Sequence, residues 1–350
     1  MKVDVASLWY RKSLHPLVIL LLPFSWLFAA CVSVRRLLYR MGIFKTERFK
    51  VPVIVVGNIV VGGTGKTPFV IWLVNFLREN GFKPGIVSRG VGGKTQRHPV
   101  QVSRNDAASQ VGDEALLLMQ RADCPVVICR DRAKAVQTLI RHHECDIIIS
   151  DDGLQHYRMG RDIEIVMVDG KRQFGNQQLL PAGPLREKLS RLNEADFVVT
   201  QDGDDENTCS MKLKPLEFVS VINPEQTLSF ADFPRNKSHA VAGIGHPERF
   251  FAVLRAAGFD IIPHRFSDHH LYLPHDLDYA DSLTILMTEK DAVKCEAFAN
   301  DRYWYLRVAA VMPDSFAQAL LNKIREKTHE DVIKCANDIV YGMQHDDQRC

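Results

Sequence analysis

Three groups of residues could do chemistry together. The first is Gly62-Gly63-Thr64-Gly65-Lys66-Thr67, glycines closing on a lysine and a threonine. Backbone N–H groups in such a turn can wrap phosphates, the Lys66 ammonium can neutralise them, and the Thr67 hydroxyl can reach Mg²⁺. The usual spacing wants a glycine five residues before Gly65, where this chain has Val60, so the turn resembles the glycine-pair variant GG-x-GKT. The second group is Asp151-Asp152-Gly153-Leu154-Gln155-His156, which follows an apolar run from Asp146 to Ser150. A strand ending in aspartate downstream of a phosphate loop supplies the other half of a Mg²⁺ site. The plainer reading is a turn or a helix cap. The third is Asp268-His269-His270, where a histidine could orient a base; the plainer reading is an exposed polar loop. Asp113 and Glu114 open an apolar helix and, by pattern alone, read as partners of its dipole.

The elements around these groups must position them. Val53 to Val56 is a β-branched run, read as a buried strand, and Pro68 opens a helix that ends at Asn80-Gly81. Further strands are expected at 85–88, 124–129, 146–150, 163–169 and 196–200, with helices between several of them. Such alternation predicts a P-loop NTPase-type, mostly parallel α/β sheet. The basic glycine loop from Arg89 to Lys94 then falls on the ligand-binding edge, or is a solvated loop. The polar run 201–210 reads as a surface loop at the weakening edge of this domain. From about Asn236 the alternation restarts and predicts a second, smaller α/β domain that ends with a helix at 315–327. The expected division is 1–45 for an N-terminal segment, 46–225 for the nucleotide-binding domain, 226–330 for the second domain and 331–350 for a tail.

Composition narrows the class. A length of 350 residues suits two domains, and a net charge of +2 without a basic, aromatic-interleaved run gives no reason to expect nucleic acid. The eight cysteines form no CxxC pair and no zinc spacing, which suits a reducing compartment. Thr288-Glu289-Lys290-Asp291 looks like the guanine-reading motif of GTPases, but its lysine falls one place late, so ATP is expected. Leu14 to Val34 is apolar and long enough to span a bilayer, interrupted by Pro16 and Pro23. A secretory signal, a spanning helix, a monotopic anchor and a buried core helix compete for it. Lys2, Arg11 and Lys12 precede it, while Arg35, Arg36, Arg40, Lys45, Arg48 and Lys50 follow, so a spanning helix would leave the rest of the chain inside. Membrane contact from the cytoplasmic side is the expectation, with span and surface both open.

Taken in order, the motifs resemble those of the tetraacyldisaccharide 4′-kinase family, the lipid A 4′-kinases of Gram-negative bacteria. The matching stretches are Val56-Gly57-Asn58 with GGTGKTP at 62–68, Ser88-Arg89-Gly90, Gly112-Asp113-Glu114 and Asp151 to His156. They continue with Gly183 to Glu187, AGIGHPERFF at 242–251, Phe266 to His270 and TEKDAVK at 288–294. The resemblance implies ATP-dependent phosphorylation of the 4′-hydroxyl of tetraacyldisaccharide 1-phosphate, giving lipid IV-A at the cytoplasmic face of the inner membrane. It implies a membrane lipid substrate and no protein partner, with two α/β/α domains joined by a hinge. It implies Asp113 as base, paired with His269 and beside Glu114. Asp151, Asp152 and Glu187 fall to the Mg²⁺ and phosphate neighbourhood, Arg186 to the phosphates, and Arg89, Gln155 and His156 to substrate. Val91 stands where family members often carry tyrosine. A competing reading is a membrane-associated ATPase switch of the glycine-pair type. Such switches carry an additional loop lysine, where this chain has Val61, and attach through a C-terminal helix.

Overall fold

Two apolar stretches meet opposite fates in the computed structural model, which describes residues 8–11, 15–94, 97–203 and 209–328. Val53–Gly57 (β1) is buried along its whole length. Pro16–Arg40 (α1) is a helix of mean hydropathy 2.4 with 11% of its most apolar stretch buried. Lys2, Lys12, the middle of the polar run (204–208) and the expected tail (331–350) lie outside the described residues.

Alternation along β1 feeds two cores. Ile54 and Val56 pack against Phe69, Leu73 and Leu77 of Lys66–Glu79 (α2). The neighbours Val53 and Val55 join a core on the opposite face. Beyond Pro84–Ser88 (β2) and the short Val100–Gln101 (β3), the helices Ala108–Val111 (α3) and Asp113–Arg121 (α4) add to the α2 side. Val126–Ile128 (β4) leads to Arg132–His143 (α5), whose Ala135, Val136 and Leu139 cover the other face. Ile147–Asp151 (β5), Ile163–Asp169 (β6) and Phe197–Gln201 (β7) complete this half, in the spatial order β7-β6-β1-β5-β2-β4-β3. Its pairs are parallel except β3 with β4. The order in which strands are added reverses around β1, which lies between β5 and β6, and ligands in open α/β sheets bind outside the carboxyl ends of strands at such a point.

The join between the halves differs from expectation. The polar run gives way to Cys209–Ser220 (β8), the longest strand described. β8 runs parallel to β7 through Cys209–Met211 only, then pairs antiparallel through Lys212 to Ser220 with Tyr303–Val311 (β13). It therefore carries the chain past the carboxyl edge of the first half, and the second half points its own carboxyl ends back at that edge. Thr227–Ser229 (β9) pairs with β8. Ser238–Ala242 (β10), Ile261–Arg265 (β11), Thr284–Thr288 (β12) and β13 form a parallel set ordered β11-β10-β12-β13. Pro247–Ala256 (α6) covers one face through Phe250, Phe251 and Leu254. Glu289–Cys295 (α7) covers the other through Ala292 and Cys295. The final helix, 314–328, does not finish the second half as expected. Its Phe316, Leu320 and Ile324 pack with Phe69 in the first core.

Candidate active site

The glycine loop leaves β1 at its buried end. Val60, where the usual motif has glycine, is buried beside Leu185 and bridges to it, so the glycine turn starts only after it. Asn58 is fully buried and donates from Nδ2 to Gly62 O at 3.2 Å and Thr64 Oγ at 3.3 Å, bracing the turn from beneath. Gly65 sits at φ +76°, and a side chain there would collide with Gln201 and Met211. This left-handed residue releases the chain into α2, whose first turn receives no capping side chain. Lys66 and Thr67 are the first residues of that turn.

Asp151 and Asp152 stand at the end of β5, level with Val56 of β1, and differ sharply. Asp152 receives Lys66 Nζ at 3.3 Å and Arg186 Nη1 at 3.0 Å. Burial opposes its ionisation, but Lys66, Arg186 and Arg132 outweigh burial and hold it well below the ordinary carboxylate range. Asp151 is buried, reached by Ser88 Oγ at 3.4 Å, and its Oδ1 has no hydrogen-bond partner. Burial first, then the charges of Glu114 and Asp152, push it up to about 7. An unsatisfied buried carboxylate beside an ionised one is the donor set that a hard divalent cation completes with waters and phosphate oxygens. Among the described residues no cluster of three or more His, Cys, Asp or Glu is arranged to hold a metal by protein ligands alone.

Glu187 lies one step away from this pair. Gln155 donates to its Oε1 at 2.8 Å, Tyr157 donates to its Oε2, and Arg191 approaches at 3.5 Å. The carboxylate expected at the metal thus has both oxygens engaged, and its link to the site runs through Gln155, which also donates to Asn58 O at 3.1 Å. Burial, with Arg132 nearby, lowers His156 to about 4, so it is neutral at physiological pH. Arg89 is exposed at the end of β2. In the loop beyond, Gly92 has φ +85°, and a Cβ there would lie 3.4 Å from both Asp113 Oδ1 and His269 Nδ1.

The reading of Asp113 and Glu114 as dipole partners misses their main contacts. Asp113 is buried, and His269 Nδ1 lies 3.0 Å from its Oδ2. Lys290 Nζ reaches Glu114 Oε1 at 3.0 Å and Asp268 Oδ1 at 3.1 Å. Burial raises the Asp113 pKa, yet the His269 bond and Lys290 outweigh it and keep the carboxyl below its usual range. The second half also meets the glycine loop at Gly245, where a Cβ would lie 2.6 Å from Gly63 N. Arg172, held by Asp169 at 3.1 Å, donates to Gly63 O at 2.8 Å and Gly245 O at 3.3 Å. Asn58, Ser88, Arg132, Arg172 and Lys290 were not marked as site residues by spacing. Only the Ser-Arg-Gly, Val-Gly-Asn and TEKDAVK stretches hinted at three of them.

A glycine loop whose Lys66 pairs with Asp152, together with a buried Asp113 that meets His269 of the second half, suits phosphoryl transfer. Comparison with known proteins agrees. The profile of the tetraacyldisaccharide-1-P 4′-kinase family matches residues 17–325. The chain belongs to this family. Kinases named tetraacyldisaccharide 4′-kinase include one from Coxiella burnetii, 49% identical over 297 residues, covering 85% of this chain and 88% of the relative. Those from Nitrosococcus oceani (48% identical, covering 91% and 93%) and Methylobacillus flagellatus (47%, covering 93% and 96%) are similar over more of the chain. A crystal structure of LpxK from Aquifex aeolicus in complex with ATP superposes with a TM-score of 0.73 at 27% identity, covering 88% of this chain and 99% of that one. Family membership favours a kinase over an ATPase switch, and ATP is the nucleotide.

Proposed function

We propose that this chain transfers the γ-phosphoryl group of ATP to the 4′-hydroxyl of tetraacyldisaccharide 1-phosphate, giving lipid IV-A, with Asp113 as the base. The observation that carries the assignment of the base is a buried Asp113 whose Oδ2 lies 3.0 Å from His269 Nδ1 of the second half. Asp113 takes the hydroxyl proton as the oxygen attacks the γ-phosphorus, and the bond to the β-phosphate oxygen breaks to leave ADP. His269 holds the carboxylate in place. Lys66 and Arg186, both gathered at Asp152, bring positive charge to the phosphoryl oxygens. Asp151, Asp152 and Thr67 would hold Mg²⁺, which would supply positive charge to offset that of the phosphate oxygens. Glu187 fixes Gln155, and Arg89, Gln155 and His156 are assigned to the lipid acceptor. A division near residue 225, with the second half closing over the nucleotide, fits the Arg172 contacts to Gly63 and Gly245.

The working place is the cytoplasmic face of the bacterial inner membrane, with α1 lying in the interface rather than crossing it. Its contacts support this. Val18 packs with Leu8 and Ala182, Ser25 donates to Leu179 O at 2.7 Å, Arg35 donates to Gln155 O and Arg36 pairs with Glu194. They run along most of a helix about 37 Å long, and a crossing helix would have to give them up. Its other face exposes Leu20, Phe24, Trp26 and Leu27.

The test is label transfer from γ-labelled ATP to the disaccharide lipid by full-length protein in detergent micelles. Labelled lipid is expected. Intact Mg²⁺–ATP with no labelled lipid overturns the reading. Removal of residues 1–34 is expected to abolish transfer to lipid in vesicles while leaving ATP binding.

A further inference from the structure

Lys290 is the second residue of α7, and no step above uses it. Its ammonium is surrounded from both halves of the molecule. Glu114 Oε1 lies at 3.0 Å and Asp113 Oδ2 at 3.9 Å on α4. Asp268 Oδ1 at 3.1 Å and His269 Nε2 at 3.5 Å come from the loop after β11. One helical turn on, Lys294 is paired with Asp291 at 2.7 Å, and its charge also reaches Asp113.

This arrangement is more than a tie between halves, because ties exist already. Glu289 pairs with Arg121 at the far end of α4, and Gln120 Nε2 donates to Glu296 at 2.9 Å. These hold α7 alongside α4 and deliver Lys290 to the helix start where Asp113 sits. An ammonium has three donors and no acceptor. The His269 nitrogen facing it must therefore present a lone pair, and in the neutral ring the proton then sits on Nδ1, against Asp113.

We propose that Lys290 is the positioning residue of the Asp113–His269 pair: gripped by Glu114 and Asp268, it fixes the His269 tautomer that donates from Nδ1 to Asp113. The inference rests on Asp113 being the base. It also disfavours the imidazolium, whose Nε2–H would point at the ammonium, and it favours the ionised form of Asp113.

The test compares full-length wild type with Lys290→Met, Lys290→Arg and Asp113→Asn in the micellar phosphorylation assay across pH. For Lys290→Met, kcat is expected to fall at least about tenfold with KM for ATP within about threefold. The acid limb of its pH profile is expected to move to higher pH, because loss of the cation makes both Asp113 and His269 harder to deprotonate. Lys290→Arg is expected to return the limb towards wild type. A wild-type kcat, or a lowered kcat with an unmoved limb, overturns the proposal. A wild-type rate in Asp113→Asn refutes the base itself, whereas a lost rate there beside an unaltered Lys290→Met refutes only the role of Lys290. A second measurement needs no folded Lys290 variant. Nitrogen-15 histidine spectra of wild type at about pH 8.5, where free imidazole is neutral, with His269→Gln for assignment, should show His269 protonated on Nδ1. Protonation on Nε2 overturns the proposal.

Discussion

His269 Nδ1 and Asp113 Oδ2 meet at 3.0 Å across 156 positions of chain, and the carboxylate is buried while the ring is partly open to solvent. A carboxylate so placed can accept a proton from a group entering beside it, with its charge held by a partner from the other half. Asp113→Asn keeps the volume and removes the acceptor. Its kcat should fall about 10²–10⁴-fold with ATP affinity unchanged by calorimetry, and near-wild-type turnover would exclude Asp113 as base.

Lys66 pairs with Asp152 at 3.3 Å, and the proposed reaction also sets it against the phosphates. Lys66→Met should weaken ATP binding and lower kcat by about 10²-fold or more, as loss of a preorganised charge does. It should also leave Asp152 with less positive charge to stabilise it. Equal ATP affinity in the variant would show that the lysine does not face the nucleotide.

The same Asp113–His269 pair makes stability depend on pH in two directions. Burial opposes Asp113 ionisation, but His269 and Lys290 hold its folded pKa low, so its contribution is present above the unfolded value and lost as pH falls through the folded one. The Asp113 bond outweighs burial and Lys290 to raise His269, so its contribution is full below the unfolded value and lost as pH rises through the folded one. Both operate between about pH 4 and 6.5, the unfolded values of the two groups. The melting-temperature gap between wild type and His269→Ala should be widest near pH 5, from about the middle of that window, and should narrow on either side. A gap that does not vary with pH counts against the pairing.

The free face of α1 gives a prediction about place rather than rate. Leu20 and Trp26 are 69% and 66% exposed. Leu20→Glu with Trp26→Glu should therefore leave the melting temperature nearly unchanged while reducing sedimentation with anionic vesicles about tenfold or more. Unreduced vesicle binding would move the membrane contact elsewhere.

Much of the first half could be read from its residues because local pattern and final burial agree there. The run at Val53 is β-branched because it is buried on both faces, and the glycines follow because the loop needs left-handed backbone at Gly62 and Gly65. β8 was not legible. Lys212, Lys214 and Pro215 argue against a long strand, yet Pro215 sits where the register with β13 shifts, a place a sheet tolerates proline. Lys290 was hidden for another reason. The carboxylates that define its task stand 176 and 22 positions away, so no window around it reveals them. Glu187 shows the converse, since a position marked by motif spends both oxygens on Gln155, Tyr157 and Arg191.

β8 makes the distance between the two working edges a matter of counting residues. Its first three hold the nucleotide half and the remainder hold the half bearing His269. One residue inserted beyond Met211 would turn the second sheet over, because successive side chains face opposite ways. Two inserted residues would restore the facing but carry His269 about 7 Å from its place beside Asp113. The strand is a ruler, and the reaction tolerates one reading of it.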